Sequence, residues 1–286
     1  MAELPPATGV SHRRVALRSV GLHVAEAGDG PPLVLLHGWP QHWWSWRRLI
    51  PRLAETYRVI VPDLRGWGWS DAPPGDYAKA TLAADVVELL DAEGLDAVRI
   101  VAHDWGGYVG FLIALEQPAR VERLMALDIA PPWRGAPHPR QLALPLFGAY
   151  QALLATPGLG PWTLTSSGRF VRALIRAASG PGMHWSDDEL AVYADVLREP
   201  ARARASCACY RTFLTHELPS VMAGGDRSGE LRVPTMLVMG AASPLRRALA
   251  PRPGPSMHVE TIPGAGHFLP EEAPDRVLEL AMPFLA

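Results

Sequence analysis

Four residues that can perform hydrolytic chemistry each follow a short apolar run of the sequence. They are His37, Asp104, Asp128 and His267. Because ligands bind beyond the carboxyl ends of the strands in an open parallel sheet, residues at these ends would share one site. An aspartate can attack an electrophilic carbon, and a histidine oriented by a second carboxylate can activate water. Together the four residues predict nucleophilic hydrolysis at one edge of a sheet.

Asp104 lies where an apolar strand passes directly into a helix, in the segment Val101–Gly107 (VAHDWGG). A sharp strand-to-helix turn needs small residues two positions before and two after its apex, and Ala102 and Gly106 meet that need. The apex side chain is then exposed, and the helix N-terminus favours its ionised form. The alternative is an aspartate that only caps the helix, the commoner role at an isolated junction. The motifs around Asp104 favour a nucleophile.

The elements that must position these residues alternate between apolar strands and amphipathic helices, which indicates a parallel sheet with helices on both faces. The predicted strands are Pro32–Leu36, Arg58–Leu64, Val98–Ala102, Arg123–Ile129, Pro234–Gly240 and Met257–Ile262. The predicted helices are Trp44–Tyr57, Ala80–Glu93, Gly106–Glu116 and Ala273–Leu285. The sequence predicts an α/β core of residues 1–130 and 230–286, with residues 131–229 inserted as a helical cap.

The composition argues against several other classes of protein. Of the 286 residues, 48% are hydrophobic, and the formal net charge of −2 comes from scattered acidic and basic side chains. Neither nucleic acid nor an anionic membrane is therefore an expected partner. Nearly all the positive charge is arginine, Lys79 being the only lysine, and coding bias would explain this.

The sequence also predicts where the chain resides and what it binds. The N-terminal stretch lacks the apolar segment of a signal peptide, and no apolar run reaches the length of a membrane span, so we expect a cytoplasmic protein. Cys207 and Cys209 are expected to be buried and reduced. No metal, flavin or nucleotide motif is present, so no cofactor is expected.

Four motifs carry a family resemblance: HGWP at 37–40, PDLRGWGWSDAP at 62–73, HDWGG at 103–107 and GAGHF at 264–268. From about residue 15 to the C-terminus, the chain resembles the epoxide hydrolase and haloalkane dehalogenase branch of the α/β-hydrolase-fold family. The resemblance implies a mostly parallel twisted sheet with an inserted helical cap. It also implies that Asp104 is the nucleophile and His267 the base.

The same resemblance implies the groups that stabilise charge on the attacked carboxylate. The backbone N–H groups of Trp39 and Trp105 are in the family positions of an oxyanion hole. The Trp39–Pro40 peptide bond is expected to be cis, as in relatives with an HGxP motif. Ala102 departs from the usual family glycine but is also small.

The acid that orients His267 departs from the commonest family pattern. After the strand at 234–240, many relatives carry Gly-x-x-Asp-Pro, whereas this chain reads GAASP, with Ser243 in place of the aspartate. A serine has no charge with which to stabilise an imidazolium. One interpretation is a dead enzyme. The other, which we favour, assigns the acid to Asp128, which lies 24 residues after Asp104, as in some relatives.

The leaving group separates the two activities of this branch. An epoxide leaves as an alkoxide and needs acidic O–H groups from the cap, whereas a halide needs N–H donors. Tyr210, in CYRT, is similar to the Tyr-Arg segment of epoxide hydrolases, and Tyr150 falls about where a second ring-opening tyrosine stands. Tyr193 is expected to pack within the cap. The tyrosines favour epoxide hydrolysis.

Other positions weigh against a dehalogenase. A tryptophan in the place of Trp105 occurs in both activities, but haloalkane dehalogenases usually carry asparagine in the place of Trp39. Fluoroacetate dehalogenases carry arginines in the places of Trp105 and Tyr108, so a haloacid substrate is not expected. Haloalkane dehalogenase remains the alternative, and a catalytically weak ligand-binding protein of the same fold is a second alternative.

The predicted substrate site is apolar and aromatic. We expect it to be lined by His37, Trp39, Trp105, Tyr150 and Tyr210 and to bind a small apolar molecule. The sequence leaves open the size and stereochemistry of that molecule and the oligomeric state of the protein.

Overall fold

The computed structural model of the protein describes residues 3–133, 145–224, 230–249 and 254–286. Within these ranges eight strands form one sheet in the order β1-β2-β4-β3-β5-β6-β7-β8. The strands are β1 Ser11–Ala16, β2 Gly21–Ala27, β3 Pro32–Leu36, β4 Arg58–Pro62, β5 Val98–His103, β6 Val121–Leu127, β7 Thr235–Gly240 and β8 Met257–Ile262. β2 runs antiparallel to β1 and β4, and the other neighbouring pairs are parallel. The predicted mixed α/β class is confirmed.

Helices cover the sheet and fill the interval between β6 and β7. Those outside that interval are α1 Ile50–Leu53, α2 Lys79–Ala92, α3 Trp105–Glu116, α10 Pro244–Leu249, α11 Leu269–Glu272 and α12 Pro274–Leu285. Those inside it are α4 Pro145–Ala155, α5 Leu159–Ser166, α6 Arg169–Ala178, α7 Asp187–Val196, α8 Pro200–Thr212 and α9 Leu218–Ala223. A π-helical segment, Phe213–Glu217, joins α8 to α9.

The inner strands carry continuous apolar runs because both of their faces are covered. In β3 the residues Leu33 to Leu36 are 0% exposed, although successive side chains point to opposite faces of the sheet. This explains why the sequence shows continuous apolar runs in place of alternating ones. Among the residues described, no helix combines the length and the apolar character that crossing a membrane requires.

Two parts of the predicted fold were wrong or missing. The helix predicted over Trp44–Tyr57 is instead a 3-10 turn, Trp43–Trp46, followed by the short α1. Pro51 has no N–H to continue a helix from the preceding turn, so it stands at the start of α1. Strands β1 and β2 were not predicted; β1 is a largely exposed edge strand whose residues are mostly polar.

The helices α4 to α9 occupy the stretch in which a helical insertion was expected. Parts of the predicted 131–229 range, residues 134–144 and 225–229, lie outside the described residues. Cys207 and Cys209 lie on α8 as buried free thiols, as predicted.

Candidate active site

Asp104 occupies a strained turn between β5 and α3. Within the described residues, the non-glycine residues with φ in the left-handed region are Asp104, at 48°, and Asp128, at 45°. This conformation is costly for a side chain with a Cβ atom, and residues that keep it cluster at functional sites. Asp104 is held there at both ends, because its N–H donates to Leu127 O at 3.1 Å and its carbonyl accepts from Tyr108 N at 3.0 Å.

The turn fits only because its neighbours are glycines. A Cβ atom at Gly38 would lie 2.6 Å from Asp104 Oδ2, and one at Gly106 would lie 2.5 Å from His37 O. Both distances are shorter than real Cβ contacts allow. The sequence-based requirement for small residues around the apex therefore has a direct steric cause.

The three residues assigned as nucleophile, base and acid come together at the carboxyl edge of the sheet. His267 Nδ1 lies 2.7 Å from Asp128 Oδ2, and His267 Nε2 lies 3.8 Å from Asp104 Oδ1. The first is a hydrogen bond that places the Nδ1 proton towards Asp128, which leaves a lone pair on Nε2 when the ring is neutral. The second is too long for a hydrogen bond and leaves Nε2 available to another partner beside the Asp104 carboxylate.

Asp128 is fully buried, and its carboxylate is saturated with donors. Gly240 N–H donates to Oδ1 at 3.0 Å, and Ser243 Oγ donates to Oδ2 at 2.6 Å, the oxygen that also bonds His267. Ser243 thus supports the acid from the position where many relatives carry an acid. This supporting role of Ser243 was not predicted from the sequence.

The loop that carries His267 is fixed by groups that were not among the predicted site residues. His267 N–H donates to Ala178 O at the end of α6 at 2.9 Å, and His103 Nε2 donates to His267 O at 2.8 Å. Glu272 Oε2 accepts from Gly266 N at 2.7 Å and also from Gly180 N at 2.7 Å. His267 is therefore tied both to the core and to the inserted helices.

The proposed oxyanion-hole groups both donate to the carboxylate of Asp104. Trp39 N–H donates to Asp104 Oδ2 at 3.0 Å, and the Trp105 N–H also bonds this carboxylate. The peptide bond between Trp39 and Pro40 is cis, as predicted. The carboxylate is thus oriented with Oδ2 towards the N–H of Trp39 and Oδ1 towards His267.

His37 differs from its predicted role as a substrate contact. Its ring is 0% exposed; Leu64 N–H donates to Nε2 at 3.0 Å, and Nδ1 donates to Gly38 O at 3.1 Å. Burial lowers its pKa, so the ring is neutral. Both ring nitrogens hold loop backbone, so His37 positions the HGWP loop in which Trp39 lies.

Tyr150 and Tyr210 lie together beside the tryptophans that flank Asp104. Their hydroxyl oxygens are 3.4 Å apart, and Tyr150 stacks on Trp39 with ring centroids 5.9 Å apart. Tyr210 meets both Trp39 and Trp105 edge to face. Tyr193, expected to be packing, is fully buried and bonds Glu271 through its hydroxyl.

Burial and charge set the protonation of the site. Burial raises the pKa of Asp104, although His267 and the two N–H donors oppose this. Burial lowers the pKa of His267, but the bond and charge of Asp128 outweigh it and raise that pKa overall. Burial, with the charge of Asp104, raises the pKa of Tyr150 to about 12 and that of Tyr210 well above its usual value. Both phenols therefore keep their protons at neutral pH.

In the described part of the chain, no group of His, Cys, Asp or Glu is arranged to hold a metal ion.

Comparison with known proteins agrees with this fold. The family model described as the alpha/beta hydrolase fold matches residues 31–274. The chain therefore belongs to the α/β-hydrolase-fold family.

Three proteins similar to this chain are an epoxide hydrolase, a dehalogenase and a solved epoxide hydrolase structure. The soluble epoxide hydrolase of Corynebacterium sp. (strain C12) is 32% identical over 293 residues, covering 98% of each chain. A fluoroacetate dehalogenase of Burkholderia sp is 28% identical over 310 residues, covering 97% of this chain and 94% of the other. The solved structure of the epoxide hydrolase CorEH superposes with a TM-score of 0.84 at 31% identity, covering 96% of this chain and 98% of that one.

The first prediction separates the roles of Asp128 and Ser243. Asp128→Asn removes the charge that stabilises the imidazolium, so hydrolytic turnover should fall by about three to four orders of magnitude. Ser243→Ala removes one hydrogen bond from a carboxylate that keeps its charge, so turnover should fall by about tenfold at most. Steady-state rates of both purified variants, with circular dichroism as the control for folding, make the measurement. A larger loss in Ser243→Ala than in Asp128→Asn would contradict the assignment.

Proposed function

We propose that the protein hydrolyses epoxides to vicinal diols through an ester of Asp104. In the first half, Asp104 Oδ1 attacks an epoxide carbon and the C–O bond breaks. The leaving oxygen takes a proton from the hydroxyl of Tyr210 or Tyr150, which gives a hydroxyalkyl ester and a phenolate.

In the second half, His267 Nε2 takes a proton from water, and the resulting hydroxide attacks the carboxyl carbon of Asp104. The N–H groups of Trp39 and Trp105 stabilise the oxyanion that forms on Oδ2. The intermediate collapses and breaks the ester C–O bond, the departing alkoxide takes the proton of the new carboxyl group and leaves as the diol, and the proton on His267 returns to the phenolate. The net reaction is epoxide plus water to diol, with Asp104 regenerated.

The observation that carries this proposal is the pair of phenol hydroxyls 3.4 Å apart beside the tryptophans that flank Asp104. Their raised pKa keeps both protonated at neutral pH, so they can donate to an oxygen on which negative charge develops. A halide leaving group accepts no proton and gives two converging O–H donors no function. We also propose that the helices of the 131–229 insertion act as the cap that brings these tyrosines over the nucleophile.

Haloalkane dehalogenation by the same nucleophile is the second candidate. In the described residues, the buried indole N–H groups of Trp39 and Trp105 have no hydrogen-bond partner and could bind a halide. The indoles of Trp43, Trp46 and Trp67 are unpartnered as well, so this feature is not specific to the site. A haloacid is disfavoured because Lys79, the cation beside Trp105, is already paired with Glu217.

The second prediction is that the purified protein converts terminal or internal epoxides into diols and that Asp104→Ala does not. Gas chromatography of a substrate panel makes the measurement, with halide release from haloalkanes tested in parallel. Diol formation that persists in Asp104→Ala would contradict the proposal. Halide release without any diol would transfer the assignment to the second candidate.

The third prediction concerns the tyrosines. Tyr210→Phe and Tyr150→Phe should each slow ring opening about 10- to 1,000-fold and leave hydrolysis of the ester unchanged, because only the first half needs the O–H proton. Tyr77→Phe is the matched control, since Tyr77 is also buried but its hydroxyl bonds Pro73 O at 2.7 Å. Rapid-quench kinetics separate the two halves. Equal effects of all three variants on ring opening would refute the assignment of proton donors.

The fourth prediction concerns pH. In the free protein, the hydrogen bond and charge of Asp128 and the charge of Asp104 outweigh burial and raise the pKa of His267 above its ordinary value of 6.5. The ring should therefore become protonated, and lose its capacity to act as a base, as the pH falls through that raised pKa. NMR of the imidazole resonances across pH, in the protein without substrate, makes the measurement. A midpoint at or below 6.5 would contradict the environment described for His267.

A further inference from the structure

The only lysine of the chain is buried beside the active site. Lys79 is the first residue of α2, and its side chain is 0% exposed. A buried ammonium is costly unless it is paired and hydrogen-bonded. Arginine supplies the positive charge at every other Lys or Arg position of the chain, so coding bias does not explain why this position keeps a lysine.

The partners of Lys79 come from the inserted helices. Glu217, in the π-helical segment, binds Lys79 twice: Oε2 accepts from Nζ and Oε1 accepts from the backbone N–H, each at 2.7 Å. Nζ also donates to Cys209 O at 3.2 Å. Glu217 thus pairs with the side chain and also caps the N-terminus of α2, where a carboxylate is favoured.

The remaining face of the ammonium meets aromatic rings. Nζ lies 4.2 Å from the centroid of Trp105 and 5.0 Å from that of Phe213, within the range of cation–π attraction. A compact ammonium with three donors can address a carboxylate, a carbonyl and a ring face at once. A planar guanidinium is larger and directs its donors in one plane, so arginine does not fit the same three partners.

These contacts end on the groups that carry the proposed chemistry. Cys209, whose carbonyl Lys79 binds, directly precedes Tyr210 on α8. Trp105, over whose ring Lys79 lies, packs edge to face on Tyr210 with centroids 5.8 Å apart and gives its N–H to Asp104. Lys79 therefore contacts both the residue that precedes the proposed proton donor and the residue that follows the proposed nucleophile.

We propose that Lys79 is a positioning residue that, through Glu217, Cys209 O and the Trp105 ring, latches the inserted helices onto the core and fixes Tyr210 over Asp104. The part of this inference that concerns Tyr210 rests on the proposed epoxide hydrolysis. The latch itself does not depend on the substrate.

The latch is tested first without a substrate, through the uniqueness of Lys79. Acetylation by an amine-reactive ester, followed at Lys79 by peptide mass spectrometry, should be at least about 100-fold slower in the native protein than in the unfolded chain, because the amine is buried and paired. Glu217→Gln should accelerate it. Glu189→Gln is the matched control, since it weakens another pair between the insertion and the core, Glu189 with Arg47 at 2.9 Å. Labelling as fast as in the unfolded chain, or no acceleration in Glu217→Gln, would overturn the latch.

The positioning role is tested by separating the half-reactions. Lys79→Met and Glu217→Gln should each slow ring opening about tenfold or more but leave ester hydrolysis unchanged. Lys79→Arg should be as slow in ring opening as Lys79→Met. The control Glu189→Gln should change neither step. Reduced thermal stability with both half-reactions intact would overturn the positioning role. If Lys79→Met fails to fold, Glu217→Gln, which keeps the side-chain shape, decides. Absence of ring opening in the unmodified protein would refute the proposed function, while the labelling experiment would still decide the latch.

Discussion

The hydrogen bond between His267 Nδ1 and Asp128 Oδ2 is the interaction on which the geometry of the site depends, because it sets which ring nitrogen faces Asp104. It joins two buried groups, and a buried charge is stable only when its remaining hydrogen-bonding positions are filled. Gly240 N–H and Ser243 Oγ meet that condition for Asp128. The sheet supplies the rest: His103 and Leu127 pair across β5 and β6, so the next residue of each strand, Asp104 and Asp128, emerges at the same edge.

The site is strained, and its surroundings hold the strain in place. The left-handed backbone at Asp104 and Asp128 costs about 1–3 kcal/mol at each position and persists only when neighbouring structure over-determines it. Gly38 and Gly106 leave room for the turn at Asp104. At Asp128, the backbone N–H donates to Val238 O of strand β7 at 2.8 Å. The inserted helices contribute as well, since Ala178 O accepts from the backbone of His267. The inserted helices and the core thus both fix the position of His267.

Much of this could be predicted from the sequence, and the rest depends on contacts between distant segments. The apolar runs of β3 to β7 and the small residues around Asp104 follow local rules of burial and sterics, so the α/β fold and the turn were predictable. The edge strand β1 carries no such pattern, and Pro51 divides a helix that hydrophobic spacing alone made continuous. Ser243, Glu272 and Lys79 act through partners far along the chain, which spacing does not show. His37 lies in a recognisable motif, but its hydrogen bond from Leu64 N–H depends on tertiary structure and could not be predicted from the sequence.

The central claim is that Asp104 forms a covalent ester that water opens at the carboxyl carbon. A single turnover in H₂¹⁸O, with enzyme in excess over an epoxide, tests it most directly. Because the diol oxygen then comes from the Asp104 carboxylate, the account predicts ¹⁸O in the Asp104 peptide and none in the first diol released. Label in the diol and none in Asp104 would mean that water attacks the epoxide directly, and it would contradict the account.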